Sequence, residues 1–176
     1  MRWVMRSSLP GRWQVPVQRC CCVWQARTGS FFFFFSFLHK NRNNPAQIVA
    51  KYYKNHEWLT FFGINNPRNP PLIRFTTDFG VTFGVFICFD IMFPTPAVQL
   101  AGQGVEHFVY PVAMDNSIGK KLHALWSYMP STVLLAANLG ESYSGIFESG
   151  SELVSELVRI DGHPTDSLRI AHVERA

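Results

Sequence analysis

The sequence predicts an α/β fold, as one domain or as part of a larger one. From residue 46 onward, short apolar runs typical of buried strands alternate with segments whose apolar residues follow helical spacing. This alternation of strand and helix is typical of a layered α/β sheet. A hydrophobic content of 47% is ordinary for a globular core and argues against disorder over most of the chain.

Three strands are predicted in the first part of this region. They are AQIVAKYYK (46–54), LIRFTT (72–77) and VTFGVFIC (81–88). In the first strand, alternation places Ile48, Ala50 and Tyr52 on one side. A loop rich in Gly, Asn and Pro separates it from the second strand, and the turn signal DFG separates the second from the third.

Two helices follow in the predicted order of elements. TPAVQLAGQG (95–104) is a short helix with Thr95 as N-cap, Pro96 at the first helical position and glycine at the exit. GKKLHALWSYM (119–129) is a second helix, in which Leu122, Leu125 and Trp126 share an apolar face. The remaining predicted elements are the strands VEHFVYPVA (105–113) and STVLLAANLG (131–140), and a hairpin-like end in YSGIFESGSELVSEL.

Residues 1–40 differ from the rest of the chain. The first thirty residues have neither helical nor strand periodicity, and FFFFFSFL (31–38) has no polar alternation that would give it one apolar face. Five consecutive phenylalanines expose a large apolar surface unless something covers them. We interpret residues 1–40 as an atypical N-terminal arm outside the native fold, such as a mis-spliced or mis-predicted start. The alternative is a membrane-surface anchor, in which a basic arm precedes aromatic residues.

The formal charge of +4 does not indicate a nucleic-acid partner. Nine of the 16 Lys and Arg residues lie in the first 54 residues, where Asp and Glu are absent, and the rest of the chain is mildly acidic. The four cysteines include the adjacent Cys20, Cys21 and Cys22, which are poorly placed to pair with one another. Neither C-x-x-C nor a zinc-ligand histidine spacing occurs, so no metal and no cofactor are expected. An apolar run of 18 residues is also lacking, and no transmembrane helix is predicted.

Chemistry is predicted at Cys88, where a buried strand ends and the chain turns toward a helix. Backbone N–H groups converge at such a turn and stabilise an oxyanion, and a helix N-terminus favours a thiolate. These are the requirements of covalent acyl transfer. The alternative is a small buried side chain without a catalytic role, because free cysteine is among the most buried residue types.

The segment FTTDFGVTFGVFICFDIMFPTPAVQL resembles the nucleophile region of the nitrilase (carbon–nitrogen hydrolase) superfamily, and its vanin and biotinidase branch in particular. Further segments are similar to the family in the same order, so that the resemblance covers roughly residues 46–173. They are IVAKYYK, FVYPVA, LHALWSYMPSTVLLAAN and YSGIF. The resemblance implies a four-layer α-β-β-α sandwich, of which residues 41–176 are a part. It also implies amide hydrolysis through a cysteine thioester and a Glu–Lys–Cys triad.

The resemblance assigns roles to particular residues. Cys88 matches the nucleophile and Lys54 the catalytic lysine, with Lys51 the less suitable candidate. The backbone N–H of Phe89 is expected to be an oxyanion donor, while the Lys54 ammonium stabilises the charge that develops on the carbonyl oxygen. Asp90 is expected to shape the turn rather than to react.

One member of the implied triad has no counterpart. The family's general-base glutamate lies far upstream of the lysine, whereas the first acidic residue here is Glu57, which follows Lys54. Two hypotheses follow: an amidase of the vanin or biotinidase type, or a truncated or pseudo-enzyme chain that is inactive as written. The resemblance implies a small pantetheine- or biotin-like amide as substrate, an extracellular or membrane-anchored location, and the self-association that is frequent in the superfamily.

Overall fold

The computed structural model describes residues 2–6, 21–27, 30–39, 47–58, 67–77, 80–114, 118–138, 144–153, 156–159 and 167–172. The strands are β1 (Arg2–Arg6), β2 (Cys21–Arg27), β3 (Ser30–His39), β4 (Gln47–Tyr53), β5 (Arg74–Thr76), β6 (Thr82–Val85), β7 (His107–Val112), β8 (Val133–Asn138), β9 (Gly145–Glu148), β10 (Ser151–Glu152), β11 (Glu156–Arg159) and β12 (Ser167–His172). The helices are a 3₁₀ helix (Cys88–Met92), α1 (Ala97–Gly102) and α2 (Ile118–Tyr128). None of the helices in the described ranges is long and apolar enough to cross a bilayer.

A six-stranded mixed sheet with the order β10-β9-β8-β7-β6-β5 forms the centre of the fold. Strands β6, β7 and β8 are parallel, and the 3₁₀ helix, α1 and α2 lie in the crossovers between them. Parallel strands are buried on both faces, which explains why β7 and β8 are almost continuously apolar. The antiparallel strands β5 and β9 pair with the outer edges of this parallel group, and the turn signal DFG predicted the connection between β5 and β6.

Two three-stranded sheets accompany the central sheet, with the orders β2-β3-β4 and β1-β12-β11. In the first of them, β3 contains the phenylalanine run and pairs antiparallel with β4. The first thirty residues show no strand periodicity, so no strand was predicted there, but the structure contains β1 and β2 in this segment. Strand pairing uses the backbone, so strands form without the alternation that marks a half-buried sheet. The interpretation of residues 1–40 as a segment outside the native domain stays a prediction.

The predicted face of β4 is confirmed where side chains are described. Ala50 and Tyr52 are buried, whereas Val49 and Tyr53 on the opposite side are exposed. The side chain of Ile48 lies outside the described part of the chain. Tyr52 joins a single core that extends through β6, β7, β8 and both α-helices.

The prediction for α2 was correct in position and wrong in part of its buried face. Trp126 is buried and Leu122 packs partly against the core, but Leu125 is 58% exposed. The buried stripe instead includes His123, which is completely buried, and Ser127. Because successive residues are rotated by about 100°, a stripe centred near His123 and Trp126 leaves Leu125 on the opposite side.

The predicted start of α1 also differs from the structure. Pro96, and not Thr95, is the N-cap, and the helix begins at Ala97. The Thr95 hydroxyl donates a hydrogen bond to the side-chain oxygen of Gln99 at 3.1 Å. In this bond the hydroxyl is the donor, whereas an N-cap hydroxyl accepts from a helix N–H.

Candidate active site

Cys88 occupies a sharp turn between a strand and a helix. The chain leaves β6, passes Ile87 in an extended conformation (φ −131°), and enters the 3₁₀ helix at Cys88. Cys88 itself has φ 48°, a left-handed conformation that is uncommon for residues other than glycine. Such backbone conformations carry strain and are concentrated at functional sites. The cysteine is only partly buried and packs against the edge of the core.

Asp90 stabilises this turn, which we call the Cys88 elbow (residues 87–92). Its carboxylate is fully buried, and Oδ2 accepts a hydrogen bond from the backbone N–H of Ile87 at 3.0 Å. The Asp90 N–H donates in return to the carbonyl oxygen of Ile87 at 3.0 Å. These two bonds close the turn around Cys88, in agreement with the expectation that Asp90 shapes it.

Asp90 also contacts the segment that follows β4. The Tyr52 hydroxyl donates to Oδ2 at 2.7 Å, and the backbone N–H of His56 donates to Oδ1 at 2.8 Å. The His56 ring nitrogen Nδ1 lies 3.2 Å from the same oxygen. Burial raises the pKa of Tyr52 well above its usual range, and the Asp90 carboxylate adds to this effect. Tyr52 is therefore a neutral donor throughout the physiological pH range.

Lys54 reaches the elbow from the end of β4. Its Nζ donates to the carbonyl oxygen of Ile87 at 2.7 Å and lies 3.6 Å from Asp90 Oδ1. The side chain is only 5% exposed, so that its charge is held by protein groups and not by water. Lys51, the alternative lysine, is exposed, and its ammonium lies over the Tyr53 ring at 5.0 Å. The structure thus brings Lys54, and not Lys51, to the peptide that carries Cys88.

Tyr110 in β7 contacts the elbow from the sheet. Its hydroxyl donates to the carbonyl oxygen of Cys88 at 2.8 Å. Burial raises the pKa of Tyr110 above its usual range, and the nearby Cys88 and Asp90 increase it further. The elbow is therefore fixed by donors from two different segments, Lys54 directly after β4 and Tyr110 within β7.

Two further polar residues near Lys54 are buried, and the sequence analysis did not single them out for the site. Glu57 is 6% exposed, and burial raises the pKa of its carboxyl. The Lys54 ammonium opposes that increase, while the Asp90 carboxylate adds to it. The side-chain amide of Asn55 is buried, and neither its oxygen nor its nitrogen has a hydrogen-bond partner within the described part of the chain. The signal available in the sequence for both was their position as polar residues directly after a predicted strand.

A row of rings covers the outer side of the elbow. The His56 ring stacks on Phe93 with 3.9 Å between ring centroids, and Phe93 meets Phe89 edge to face at 5.3 Å. Phe89 in turn contacts Trp58 at 5.0 Å, and Trp58 is 63% exposed. The candidate nucleophile is therefore flanked by an aromatic surface that begins at the residue after it.

The histidines do not form a metal site in the part of the chain that is described. No group of three or more His, Cys, Asp and Glu side chains there is arranged to hold a metal ion. His123 lies in the core against the rings of Tyr110 and Phe147. Burial lowers its pKa to about 4, so that it is neutral near pH 7.

The predicted residues Cys88, Lys54, Phe89 and Asp90 thus lie in one cluster. The contact between Lys54 and Ile87 places the ammonium beside the peptide before Cys88. The catalytic roles of Cys88, of the Lys54 ammonium and of the Phe89 N–H stay predictions. The sequence missed the contributions of His56 and Tyr110, because nothing local in the sequence indicates contacts with residues 22 to 34 positions away.

Known proteins similar to this chain agree with the family resemblance. The chain is 40% identical over 124 residues to Vanin-like protein 1 of Drosophila melanogaster, covering 65% of this chain and 22% of that protein. It is 30% identical over 149 residues to human pantetheinase, covering 71% of this chain and 28% of that protein. The chain therefore spans about a quarter of the length of these curated relatives. No protein-family model matches it.

Solved structures agree on the fold. Nit3 of Saccharomyces cerevisiae, from branch 10 of the nitrilase superfamily, superposes with a TM-score of 0.56 at 19% identity, covering 71% of this chain and 48% of that chain. A Nesterenkonia AN1 amidase of the same superfamily superposes with a TM-score of 0.58 at 14% identity, covering 72% of this chain and 51% of that chain. The predicted incomplete nitrilase-type α/β fold is thereby confirmed. Together with the sequence relatives, it shows that this chain belongs, over part of the hydrolase domain, to the vanin-like branch of the nitrilase (carbon–nitrogen hydrolase) superfamily.

Proposed function

We propose that this chain carries the nucleophile and the oxyanion-stabilising groups of an amide carbon–nitrogen hydrolase. Cys88 is the nucleophile, and the Lys54 ammonium and the Phe89 N–H stabilise the oxyanion. The observation that carries the proposal is the buried hydrogen bond from Lys54 Nζ to the carbonyl oxygen of Ile87, the residue before Cys88. It places a positive charge beside a strained cysteine turn, which is the arrangement that amide attack requires.

The reaction proceeds in two balanced steps. In the first, the Cys88 thiolate attacks the amide carbon, a C–S bond forms, and the C–N bond breaks as a proton reaches the leaving nitrogen. An amine leaves and a thioester remains. In the second step, water adds to the thioester, the C–S bond breaks, and a carboxylic acid leaves while the thiol is restored.

The proposed substrate is a small amide of the pantetheine type. Pantetheinases are among the relatives, which supports pantetheine over the biotin amides that the wider branch suggests. The aromatic row beside Cys88 offers a surface for an uncharged portion of such a substrate. Amides of biotin are the second substrate class to test.

A second candidate function is a chain that binds or acylates but does not turn over. The observation in its favour is that no Asp or Glu precedes Glu57 in the sequence, so that the family's upstream general base has no counterpart. General-base assistance contributes about 10²–10⁴-fold to rate, and its loss alone brings hydrolysis close to the limit of detection. We therefore expect little or no amidase turnover from the chain as given.

The test separates nucleophile reactivity from turnover. In a mutant of the Nesterenkonia AN1 amidase, the acetamide moiety of fluoroacetamide is covalently added at the active-site cysteine. The purified chain is treated with fluoroacetamide, and mass spectrometry locates the adduct among the four cysteines. Selective labelling of Cys88 supports its role as the nucleophile. Labelling of Cys88 no faster than that of the other three contradicts it.

Turnover is measured in parallel with pantetheine and with a biotin amide, using Cys88→Ala as the control. Little or no hydrolysis together with selective labelling supports the second candidate. Robust hydrolysis that disappears in Cys88→Ala shows that the upstream glutamate is dispensable and supports the first.

A further inference from the structure

We infer that Asp90 is a positioning residue that holds the Lys54 ammonium and the Cys88 elbow in register for attack on a carbonyl group. This inference rests on the proposed function, because it assigns Asp90 a task in the same reaction. It extends beyond the expectation that Asp90 only shapes the turn.

The contacts of Asp90 exceed what the turn requires. Closing the turn uses one carboxylate contact, from the Ile87 N–H, together with the backbone N–H of Asp90. The other hydrogen-bond contacts come from Tyr52 and His56, which are 38 and 34 residues away in the sequence. Asp90 therefore joins two segments, and these are the segments that carry Lys54 and Cys88.

Lys54 lies in the chain between Tyr52 and His56, and both of these residues bind Asp90. Asp90 binds Tyr52 on one side of Lys54 and His56 on the other, so that the backbone around Lys54 is fixed at both ends. The Lys54 ammonium is 3.6 Å from Asp90 Oδ1 and donates to the Ile87 carbonyl oxygen. One carboxylate thus sets both the path of the backbone and the direction of the charged side chain.

The burial of this cluster makes the carboxylate necessary for Lys54. Both side chains are at most 5% exposed, and a buried ammonium needs a counter-charge in place of water. Glu57 also lies near Lys54, and burial raises the pKa of its carboxyl, while Asp90 Oδ1 lies 3.6 Å from the Lys54 ammonium. Asp90, bound by several N–H and O–H donors, is held in the position of that counter-charge.

The experiment compares two reagents at the same sulfur. An activated ester, p-nitrophenyl acetate, acylates Cys88 through an oxyanion: a C–S bond forms, the ester C–O bond breaks, and p-nitrophenolate leaves. Methyl methanethiosulfonate reacts with the same thiolate in a disulfide exchange without an oxyanion: an S–S bond to Cys88 forms, the S–S bond of the reagent breaks, and methanesulfinate leaves. Mass spectrometry of the peptide that contains Cys88 gives both rates. The ratio of the ester rate to the disulfide-exchange rate reports how well the oxyanion-stabilising groups are positioned. A variant that merely loosens the fold exposes the thiol to both reagents and changes both rates alike.

We expect Asp90→Asn to lower the ester rate at Cys88 by about tenfold, less than the 10²–10³-fold cost of removing an oxyanion donor outright. The disulfide-exchange rate stays within about twofold, because that reaction needs no oxyanion stabilisation. Lys54→Met, which removes the ammonium, lowers the same ratio at least as much. Tyr52→Phe, which keeps Asp90 and removes only one donor, lowers the ratio about two- to threefold, in proportion to the smaller disturbance. Glu152→Gln, a carboxylate-to-amide change at the exposed Lys120 pair, leaves the ratio unchanged.

The possible outcomes distinguish a failure of this inference from a failure of the proposed function. If Lys54→Met lowers the ratio but Asp90→Asn and Tyr52→Phe do not, the positioning role is overturned and the proposed function stands. If the wild-type ratio equals that of the urea-unfolded chain, the proposed function fails and the inference fails with it. If Asp90→Asn unfolds and speeds both reactions, Tyr52→Phe decides: an unchanged ratio in that variant overturns the inference.

Discussion

Two lysine–carboxylate pairs in this chain have opposite surroundings. Lys54 and Asp90 are separated by 3.6 Å with side chains 5% and 0% exposed, whereas Lys120 and Glu152 approach to 2.8 Å with side chains 36% and 33% exposed. The shorter pair is the one that water screens. The longer pair is part of a buried network beside the candidate nucleophile. Burial, and not distance, therefore decides which pair matters for the fold and the site.

The physical reason is the cost of leaving one charge alone. In water, an unpaired lysine is solvated at no great cost, so that an exposed pair contributes about 0–1 kcal/mol. In the interior, removing one partner leaves an uncompensated charge, which costs about 3–5 kcal/mol. The comparison thus predicts a graded series of effects, in which the largest belongs to Asp90.

The first prediction removes the buried carboxylate. Asp90→Ala leaves the Lys54 ammonium without its counter-charge and the donors of Tyr52 and Ile87 without an acceptor. We expect the free energy of unfolding to fall by about 3–5 kcal/mol, measured by urea unfolding. A decrease below about 1 kcal/mol would place this pair in the same class as the exposed one.

The second prediction concerns His123, a buried histidine close to the exposed pair. Burial is the largest effect on the pKa of His123 and lowers it, while Glu152 raises this pKa and Lys120 lowers it. Burial lowers its folded-state pKa from 6.5 to about 4, so the unfolded chain binds the proton more readily between those values. The stabilisation is fully present above pH 6.5 and is lost as the pH falls toward 4, with a total of about 3 kcal/mol.

His123→Phe, which keeps a ring against Tyr110 and Phe147, removes this pH dependence. The quantity to compare is the difference between wild type and variant at each pH. Glu57, whose folded pKa is raised, acts in the opposite direction and cancels in that difference. Parallel stability curves for the two proteins between pH 4 and 6.5 would contradict a buried, neutral His123.

The third prediction compares two buried tyrosine hydroxyls. Tyr52 donates to the Asp90 carboxylate, and Tyr110 donates to the neutral carbonyl of Cys88. Hydrogen bonds to charged groups contribute about 1.5–3 kcal/mol and neutral ones about 0.5–1.5 kcal/mol. Urea unfolding of Tyr52→Phe should therefore show a larger loss than that of Tyr110→Phe. Equal losses would mean that the carboxylate does not strengthen the bond.

The smallest effect belongs to the exposed pair. Glu152→Gln should change the free energy of unfolding by less than about 1 kcal/mol, and the difference from wild type should shrink further at 1 M salt. Thermal or urea unfolding at two ionic strengths measures both values. A loss of several kcal/mol that persists at high salt would remove the distinction between the two pairs.

Local patterns in the sequence were enough to predict the features that depend on residues close together in the chain. Apolar runs located the strands around the elbow, because a parallel strand is buried on both faces and has to be apolar. Alternation placed Ala50 and Tyr52 on the buried side of β4, since successive side chains of a strand point to opposite faces. The strand-to-helix turn predicted chemistry at Cys88, the family resemblance assigned a role to Lys54, and the structure brings both to one turn.

Contacts between residues distant in the chain could be found only in the folded structure. The left-handed backbone of Cys88 and the contacts of Asp90 with Tyr52 and His56 arise only when β4 lies against the elbow, and no local pattern records that approach. The exposure of Leu125 has the same origin, because helical spacing gives the width of an apolar stripe and packing selects its centre. Periodicity thus predicts which residues of one element can face inward, whereas the packing of the elements against one another determines which groups contact a buried charge.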